Sequence, residues 1–575
     1  MPLVGEWVSW TRVRNMLQIC RESHPQCHSN NTNKSLPVGF RVIDVARRCL
    51  TEQRNCRFVA LSYVWGSNAE RSTIAYTHTM QDLMVDASLS SDRLPRTIED
   101  ALTICTRLQE RFLWVDRLCI VQDDAQDKLR QINAMDTIYS TAHFVIIAGH
   151  GNGAGYGIPG VSRGRPHFAS QQKVALPGLA AVNIVRDREQ DPDAVWRTRG
   201  WTYQEAVLAR RRLYFSNSQV QFECQQSLLH EDEYNGGSRL DPVNQMSPTD
   251  RSAFETYTYH ISKYSFRSLT FQKDAYAAFT GITNTLFGVN TTRFGLPLEH
   301  FDRALHWHSA LDGRTLSSRE YDGVCFPTWS WFSVMRQPPA HVFHHDVSFH
   351  GALTAWHSYD GSELSPIKDR PDDTDLLDWR SYMAIACSEG CVSGWDVLLP
   401  QVSWTELRTA FDQRWPDYSA FYQNLTKSMA DLQEDVVSLV EETPGSIACR
   451  TRCADFGLKD DGKGRWLALS IVDSQGQVVG KICGQTRELR ATPAIEENST
   501  FEFIALSLAG VPALQSPREP RGYSGIPGSP MDIEPTVVVM LIGRQGRVAY
   551  RKALGWIYLK HWAASPGQWK TIILV

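Results

Sequence analysis

The sequence predicts a parallel α/β domain that leads into a mixed α+β region with a β-rich end. Three observations carry this. Between residues 57 and 149, short continuous apolar runs alternate with stretches of helical period, the pattern of a sheet covered on both faces. The last quarter of the chain holds long β-type runs, "RWLALSIVD", "TFEFIALSLA", "TVVVMLIGR" and "VAYRKALGWIYLK". At 575 residues the chain is also too long for one core, so two or three domains are expected.

The elements follow in order. "RFVALSYVWG" (57–66) reads as a buried strand entering a turn at Gly66. "LPRTIEDALTICTRLQE" (94–110) reads as a helix, with Thr97 and Asp100 in a capping-box pattern after Pro95. "RFLWV" (111–115) is a second strand, closed by Asp116. A second helix is expected over 124–142, with Leu129, Ile132, Met135, Ile138 and Tyr139 on its apolar side. "HFVIIAG" (143–149) is the third strand. A helix bearing "WTYQEAVLAR" and two short strands around "SNS" come next. The polar stretch 229–250 is expected to be an exposed loop or boundary. Beyond it, 272–287 and 298–311 carry helical apolar faces, and "FPTWSWFS" (326–333) is an aromatic strand or corner. Residues 365–378 read as an acidic loop, 403–442 as mostly helical, and 511–535 as a long loop.

Composition narrows the function. Hydrophobic residues make up 42% and charged residues 21%, ordinary for a soluble globular chain. A formal net charge of −4 offers no basic field for nucleic acid. No apolar run approaches the roughly 20 residues that span a bilayer, and the start lacks a secretory apolar core. The 13 scattered cysteines suit reduced thiols, so a cytoplasmic location is expected.

Three motifs fail on context. "GYGIPG" (155–160) fits G-x-G-x-x-G, but no helix follows to meet a pyrophosphate, so a loop is expected. "GLKDDGKG" (457–464) lacks the Ser/Thr of a phosphate loop and reads as a hairpin turn. "HVFHHDVSFH" (341–350) lacks helical ligand spacing. "CRESHPQCHSN" (20–30) offers Cys20, His24, Cys27 and His28 as zinc-type ligands. Adjacent Cys27 and His28 would struggle to reach one tetrahedral ion, and structural sites usually pair distant ligand sets. A metal-free helix end is expected there.

Ligands of parallel sheets bind beyond the strands' C-terminal ends, here Ser62–Gly66, Asp116 and the loop after Ala148. Asp116 either caps the turn that follows it or touches a ligand hydroxyl. "RGWTYQE" (199–205) holds a second ambiguity. Thr202-x-x-Glu205 is a capping-box pattern, yet Trp201 and Glu205, four apart, would share one helix face.

"FVALSYVWG", "LPRTIEDAL", "FLWVDRLCIVQDD", "QINAMDTIYSTA" and "WRTRGWTYQE", in this order, resemble the heterokaryon-incompatibility (HET) domain of filamentous fungi. "LQICRESHPQCH" and "VGFRVIDV" look like its usual lead-in; "YSFRSLTFQKDAYAAFTGI", "FGLP", "RALHWH" and "FPTWSW" look like what commonly follows. The resemblance covers about residues 15–335. It divides the chain into a lead-in (1–55), a HET domain (56–228), a helical and aromatic-rich region (229–400) and an α+β, β-rich region (401–575).

The resemblance implies self/non-self recognition ending in growth arrest or death of the fused cell. It also implies a TIR-like or flavodoxin-like parallel sheet, and by that comparison NAD⁺ as substrate rather than a resident cofactor. Glu205 would then be the catalytic carboxylate and Trp201 would shape its site. Ser62, Tyr63, Trp65, Gly66 and Asp116 would line the nucleotide side, and Arg197 or Arg199 would meet phosphate. The alternative is a non-enzymatic module that self-associates and recruits a death effector. In either case the partner is an incompatibility protein, not nucleic acid or membrane.

Overall fold

The computed structural model describes residues 5–28, 35–66, 73–165, 172–176, 179–183, 194–231, 238–239, 252–308, 317–319, 326–335, 348–354, 356–359, 363–367, 440, 443, 445–460, 469–483, 499–512 and 533–575. The chain forms two compact units, Met1–Val289 and Asn290–Val575. The two units meet at 289/290. The first unit takes in both the lead-in and the helices that follow the polar stretch.

The first unit is built on a nine-stranded mixed sheet. Helix α1 (Trp10–Ser23) precedes an antiparallel pair, β1 (Arg41–Asp44) and β2 (Cys49–Glu52). Then come β3 (Val59–Ser62), a short α2 (Met80–Leu83), α3 (Arg96–Leu108), β4 (Phe112–Trp114) and α4 (Asp116–Cys119). They are followed by α5 (Ala125–Asn133), α6 (Met135–Thr141), β5 (Val145–Ala148) and a separate hairpin of β6 (Gln172–Leu176) and β7 (Leu179–Asn183). The unit closes with α7 (Val195–Thr198), α8 (Gly200–Leu208), β8 (Arg211–Phe215), β9 (Val220–Cys224), β10 (Ser227–His230), β11 (Ser238–Arg239), α9 (Ala253–Tyr264) and α10 (Ala277–Phe287). Across the sheet the order is β11-β10-β9-β8-β5-β3-β4-β1-β2.

Among the described strands of this sheet, only β4, β3, β5 and β8 run parallel to one another. The expected parallel sheet is thus the centre of a mixed one, flanked by antiparallel β1–β2 on one edge and β9–β11 on the other. The reason is connection length. Parallel neighbours need a crossover helix, as at α3 and α5–α6, whereas the short links around 45–48 and 216–219 permit only hairpins. β3, β5 and β8 are buried along their whole length, which explains the apolar runs of β3 and β5, whereas β8 opens with the buried Arg211 and Arg212.

Two helix details differ from the sequence reading. The capping box at Thr97 and Asp100 does not form, because α3 starts at Arg96 and both residues lie inside it. Thr97 Oγ1 instead accepts the Gly157 N–H at 3.1 Å, and Asp100 Oδ2 accepts Ile158 N–H at 2.6 Å and the Ser162 hydroxyl at 2.8 Å. These bonds fix the glycine loop 155–160, and the described residues directly after it, 161–165, form no helix. The helix over 124–142 breaks at Ala134, and Leu129, expected on the apolar side, is 61% exposed.

The second unit is β-rich. Two small pairs come first, β12 (Thr292–Arg293) with β13 (Leu296–Pro297), and β14 (Ser317–Ser318) with β15 (Val334–Met335). The main sheet comprises β16 (Ser348–Ala352), β17 (Trp356–Tyr359), β18 (Leu364–Pro366), β19 (Ile447–Asp460), β20 (Leu469–Val472), β21 (Val478–Cys483), β22 (Thr500–Pro512), β23 (Ile533–Gln545), β24 (Val548–Tyr558) and β25 (Gln568–Leu574). Pairing of β19 with β22 closes β22-β23-β24-β21-β20-β19 on itself. β19 and β20 pair antiparallel, as a hairpin turn at "GLKDDGKG" requires, although 461–468 lie outside the described residues. Of 298–311, only Phe301–Ala304 is α-helical among the described residues. "FPTWSWFS" is a corner with Trp329 fully buried and a 3₁₀ turn at Trp331–Ser333. The histidine cluster at 341–347, the acidic loop beyond 367, the helix expected at 403–442 (apart from Val440) and most of the loop at 511–535 lie outside the described residues.

Candidate functional site

Ser62 ends the central strand β3 with no solvent exposure, so its hydroxyl must find partners within the protein. It donates to Glu205 Oε2 at 2.5 Å and accepts the indole N–H of Trp196 at 2.8 Å. Both partners come from the α7–α8 segment that leads into β8. Glu205 therefore reaches across to the sheet and does not fold back on its own helix. The capping box at 202–205 is absent because α8 begins at Gly200, after Arg199, which puts Thr202 inside the helix. The Thr202 hydroxyl donates to the carbonyls of Trp196 (2.5 Å) and Arg199 (3.0 Å).

Glu205 is 6% exposed, and its carboxyl is pushed up to about 8, first by burial and then by the negative charge of Asp116. The Ser62 hydroxyl, the charge of Arg199 and the Tyr139 hydroxyl pull it back only in part. Asp116 opens α4 just beyond β4 and is half-buried. Its Oδ2 accepts the Trp65 indole N–H at 2.8 Å and its Oδ1 the Arg117 backbone N–H at 2.7 Å. Burial raises this carboxyl too, against those two bonds and the charges of Arg199 and Arg117. Two carboxyls that repel each other's ionised form thus sit at the C-terminal ends of adjacent strands.

Tyr63 is 5% exposed, and its hydroxyl has no hydrogen-bond partner among the described residues. Burial, with the charges of Asp116 and Glu205, holds that hydroxyl in its neutral form. Trp65 is half-buried, with the Arg117 guanidinium 5.3 Å from the centre of its ring. Gly66 has φ +79°, and a Cβ there would lie 2.7 Å from Gly153 Cα, so glycine lets the turn after β3 pack on the loop after β5. Gly66→Ala is expected to cost about 1–3 kcal/mol. Gly155→Ala, where the added carbon meets nothing within 4 Å, should be close to neutral. Thermal denaturation of the two variants checks this.

The remaining candidates divide. Arg199 caps α8, and its charge acts on both Asp116 and Glu205. Arg197 is half-buried on α7. Trp201 sends its indole N–H to Asp274 Oδ2 at 3.4 Å, away from the Ser62–Glu205 bond, and the tryptophan that joins that network is Trp196. Sequence reasoning missed Trp196, Tyr139 and Arg267. The Tyr139 hydroxyl donates to Leu61 O at 3.3 Å beneath Glu205. Arg267 stacks 4.5 Å over Tyr203 and donates to the Arg199 carbonyl at 3.2 Å, and its charge also bears on Glu205. All three lay within the matched segments, but Tyr139 reads there as a face of apolar packing.

The first unit is thus an α/β domain that gathers an acidic pair, buried Glu205 and half-buried Asp116, at the C-terminal ends of its central strands. Residues 58–205 match the model of the family described as Heterokaryon incompatibility protein (HET), so the chain carries a HET domain. The match ends on Glu205. Among curated proteins, the chain is similar to heterokaryon incompatibility protein 6, OR allele, of Neurospora crassa, at 31% identity over 100 residues. That stretch is 16% of this chain and spans 14% of the relative's length. No solved structure matches. No helix among the described residues is long and apolar enough to cross a membrane.

Proposed function

We propose that this is an incompatibility-type protein whose HET domain hydrolyses NAD⁺ to arrest or kill the cell in which it is activated. The observation that carries this reading is the bond from Ser62 to Glu205, which leaves the carboxylate facing the sheet instead of spending it on a helix cap. The strand order β4-β3-β5-β8, with the first parallel strand between the second and third, also supports it. That is the order of flavodoxin-like sheets, whose ligands sit at this end of the strands. The buried Tyr63 hydroxyl is a donor or acceptor of the kind a ribose hydroxyl needs.

The chemistry asks little of the protein. Nicotinamide leaves NAD⁺ as a neutral molecule, so no general acid is needed, and positive charge develops on the ribose. A carboxylate held in a dry site stabilises that charge. At neutral pH Glu205 rests largely protonated, with Asp116 opposing its ionisation. The cationic pyridinium of NAD⁺ would favour loss of that proton, so the ligand itself helps to arm the residue. Arg199 would meet the phosphates.

The test is induced expression of wild type and Glu205→Gln, with cellular NAD⁺ and growth followed together. NAD⁺ should fall before growth stops in the wild type and hold steady in the variant. Death that persists in the variant with NAD⁺ unchanged in both strains would overturn hydrolysis and favour a module that self-associates and recruits an effector.

A further inference from the structure

The amino-terminal Cys/His cluster lacked a distant partner in the sequence, and the fold supplies one. Cys224, which ends β9 some 200 residues away, brings its thiol to Cys20, His24 and Cys27. The four ligand atoms all lie within 4.8 Å of one another. His28 is not among them, so the crowding of adjacent Cys27 and His28 does not arise.

We propose that Cys20, His24, Cys27 and Cys224 form a structural zinc site that fastens α1 to the edge of the sheet. With Zn–S near 2.3 Å and Zn–N near 2.0–2.1 Å, a tetrahedral site has ligand–ligand edges of about 3.5–3.8 Å. His24 Nδ1 already stands 3.4 Å from Cys224 Sγ. The ligands come from three places, the last turns of α1, the 3₁₀ turn Pro25–His28 and β9. Cys20, Cys27 and Cys224 are all buried and form no disulfide, and His24 is half-buried. Four protein ligands leave no open position, which makes the site structural.

The surroundings suit bound thiolates. Cys224 Sγ accepts the Gln226 backbone N–H at 3.4 Å and lies 3.4 Å from the Ser227 hydroxyl, bonds that steady a metal-bound sulfur. Three thiolates and one Zn²⁺ carry a net charge of −1. Arg211, buried and directly opposite Cys224 in the β8–β9 pairing, is placed on the same face of the sheet to balance it. Its Nε has no hydrogen-bond partner among the described residues. A side-chain bond from Gln226 to Gln26 closes the outer side.

The experiment is elemental analysis of the full chain, purified under reducing conditions from zinc-supplemented medium without chelator. One zinc per chain is expected in wild type and in the control Cys56→Ser, which lies outside the cluster. Cys20→Ser combined with Cys224→Ser should lose it, and a strong thiol-competent chelator should lower the thermal midpoint of wild type and of Cys56→Ser but not of the double variant. Because that double variant could fail to fold, His24→Cys provides a second arm. It should keep the metal, and replacing zinc by cobalt should give tetrahedral thiolate absorption in both proteins, stronger in the variant. Wild-type protein without zinc and without cobalt–thiolate absorption would overturn the site. So would a disulfide among these three cysteines in the native protein, or zinc retained by the folded double variant.

Discussion

Glu205→Gln should make the protein harder to unfold at alkaline pH while removing the activity proposed for it. The sign follows from the raised carboxyl. The folded chain holds a proton up to about pH 8 that the unfolded chain releases near 4.5. The folded state is therefore favoured most below pH 4.5, and that advantage fades as pH rises through about 8. Over this window wild type loses stability on the order of 5 kcal/mol from this group, whereas the glutamine variant does not titrate there. Toward pH 5 the two should unfold most nearly alike, since the unfolded carboxyl too then approaches its neutral form, which glutamine mimics, and glutamine can still accept the Ser62 hydroxyl. Near pH 9 the variant should be the more stable. Denaturant titration of both proteins across pH 5–9 measures this. Parallel curves would mean that the carboxyl titrates normally, and the electrostatic basis of the site would fall with it. A group that costs stability when charged, at the end of a ligand-facing strand, is the kind of arrangement that functional sites retain.

Much of this arrangement is legible from sequence because it is local. Buried central strands write themselves as unbroken apolar runs, so β3, β4 and β5 appear where the pattern puts them. Ser62, Asp116 and Glu205 can be named because strand ends and the helix after β5 are readable landmarks. What the sequence does not carry is which alternative a polar side chain chooses. Thr97 and Asp100 form a capping-box pattern, as do Thr202 and Glu205, and in neither pair does the box form. A helix start that shifts by two or three residues moves both out of capping position and frees them for distant partners. Trp201 and Trp196 are equally good aromatic neighbours on paper, and only the turn between α7 and α8 decides that Trp196 meets Ser62. The same holds for Cys224, whose place beside Cys20 depends on how α1 docks on β9.

Glu231 is the sharpest case of this, and its replacement should be the most damaging to stability. It stands in "HEDEYNGG", a stretch that reads as an exposed boundary, yet it is 1% exposed. Its Oε2 meets Arg165 Nη2 at 2.6 Å, with both side chains fully enclosed, and also accepts the Val220 N–H at 2.9 Å. Its Oε1 accepts the Ser9 N–H at 2.8 Å, and its carbonyl accepts Arg12 Nη1 at 2.6 Å. Arg165 in turn donates to the Gly5 carbonyl at 2.9 Å. One carboxylate thus ties the amino-terminal segment, the end of the glycine loop and the β9–β10 edge together. No local pattern announces this, since the ion-pair partner is 66 residues away and Ser9 is 222. Removing one member of a buried pair leaves the other charge enclosed without compensation, which typically costs about 3–5 kcal/mol. Glu231→Ala should therefore lower the stability of the first unit by that amount and expose the amino-terminal segment to proteolysis. Arg165→Met combined with Glu231→Leu should recover a large part of the loss, because an apolar pair of similar volume often replaces a buried ion pair at little cost. Denaturant unfolding of wild type, Glu231→Ala and the double replacement separates the contributions. If the double replacement proves no more stable than Glu231→Ala, the loss comes from the backbone amides of Ser9 and Val220 rather than from the stranded charge of Arg165.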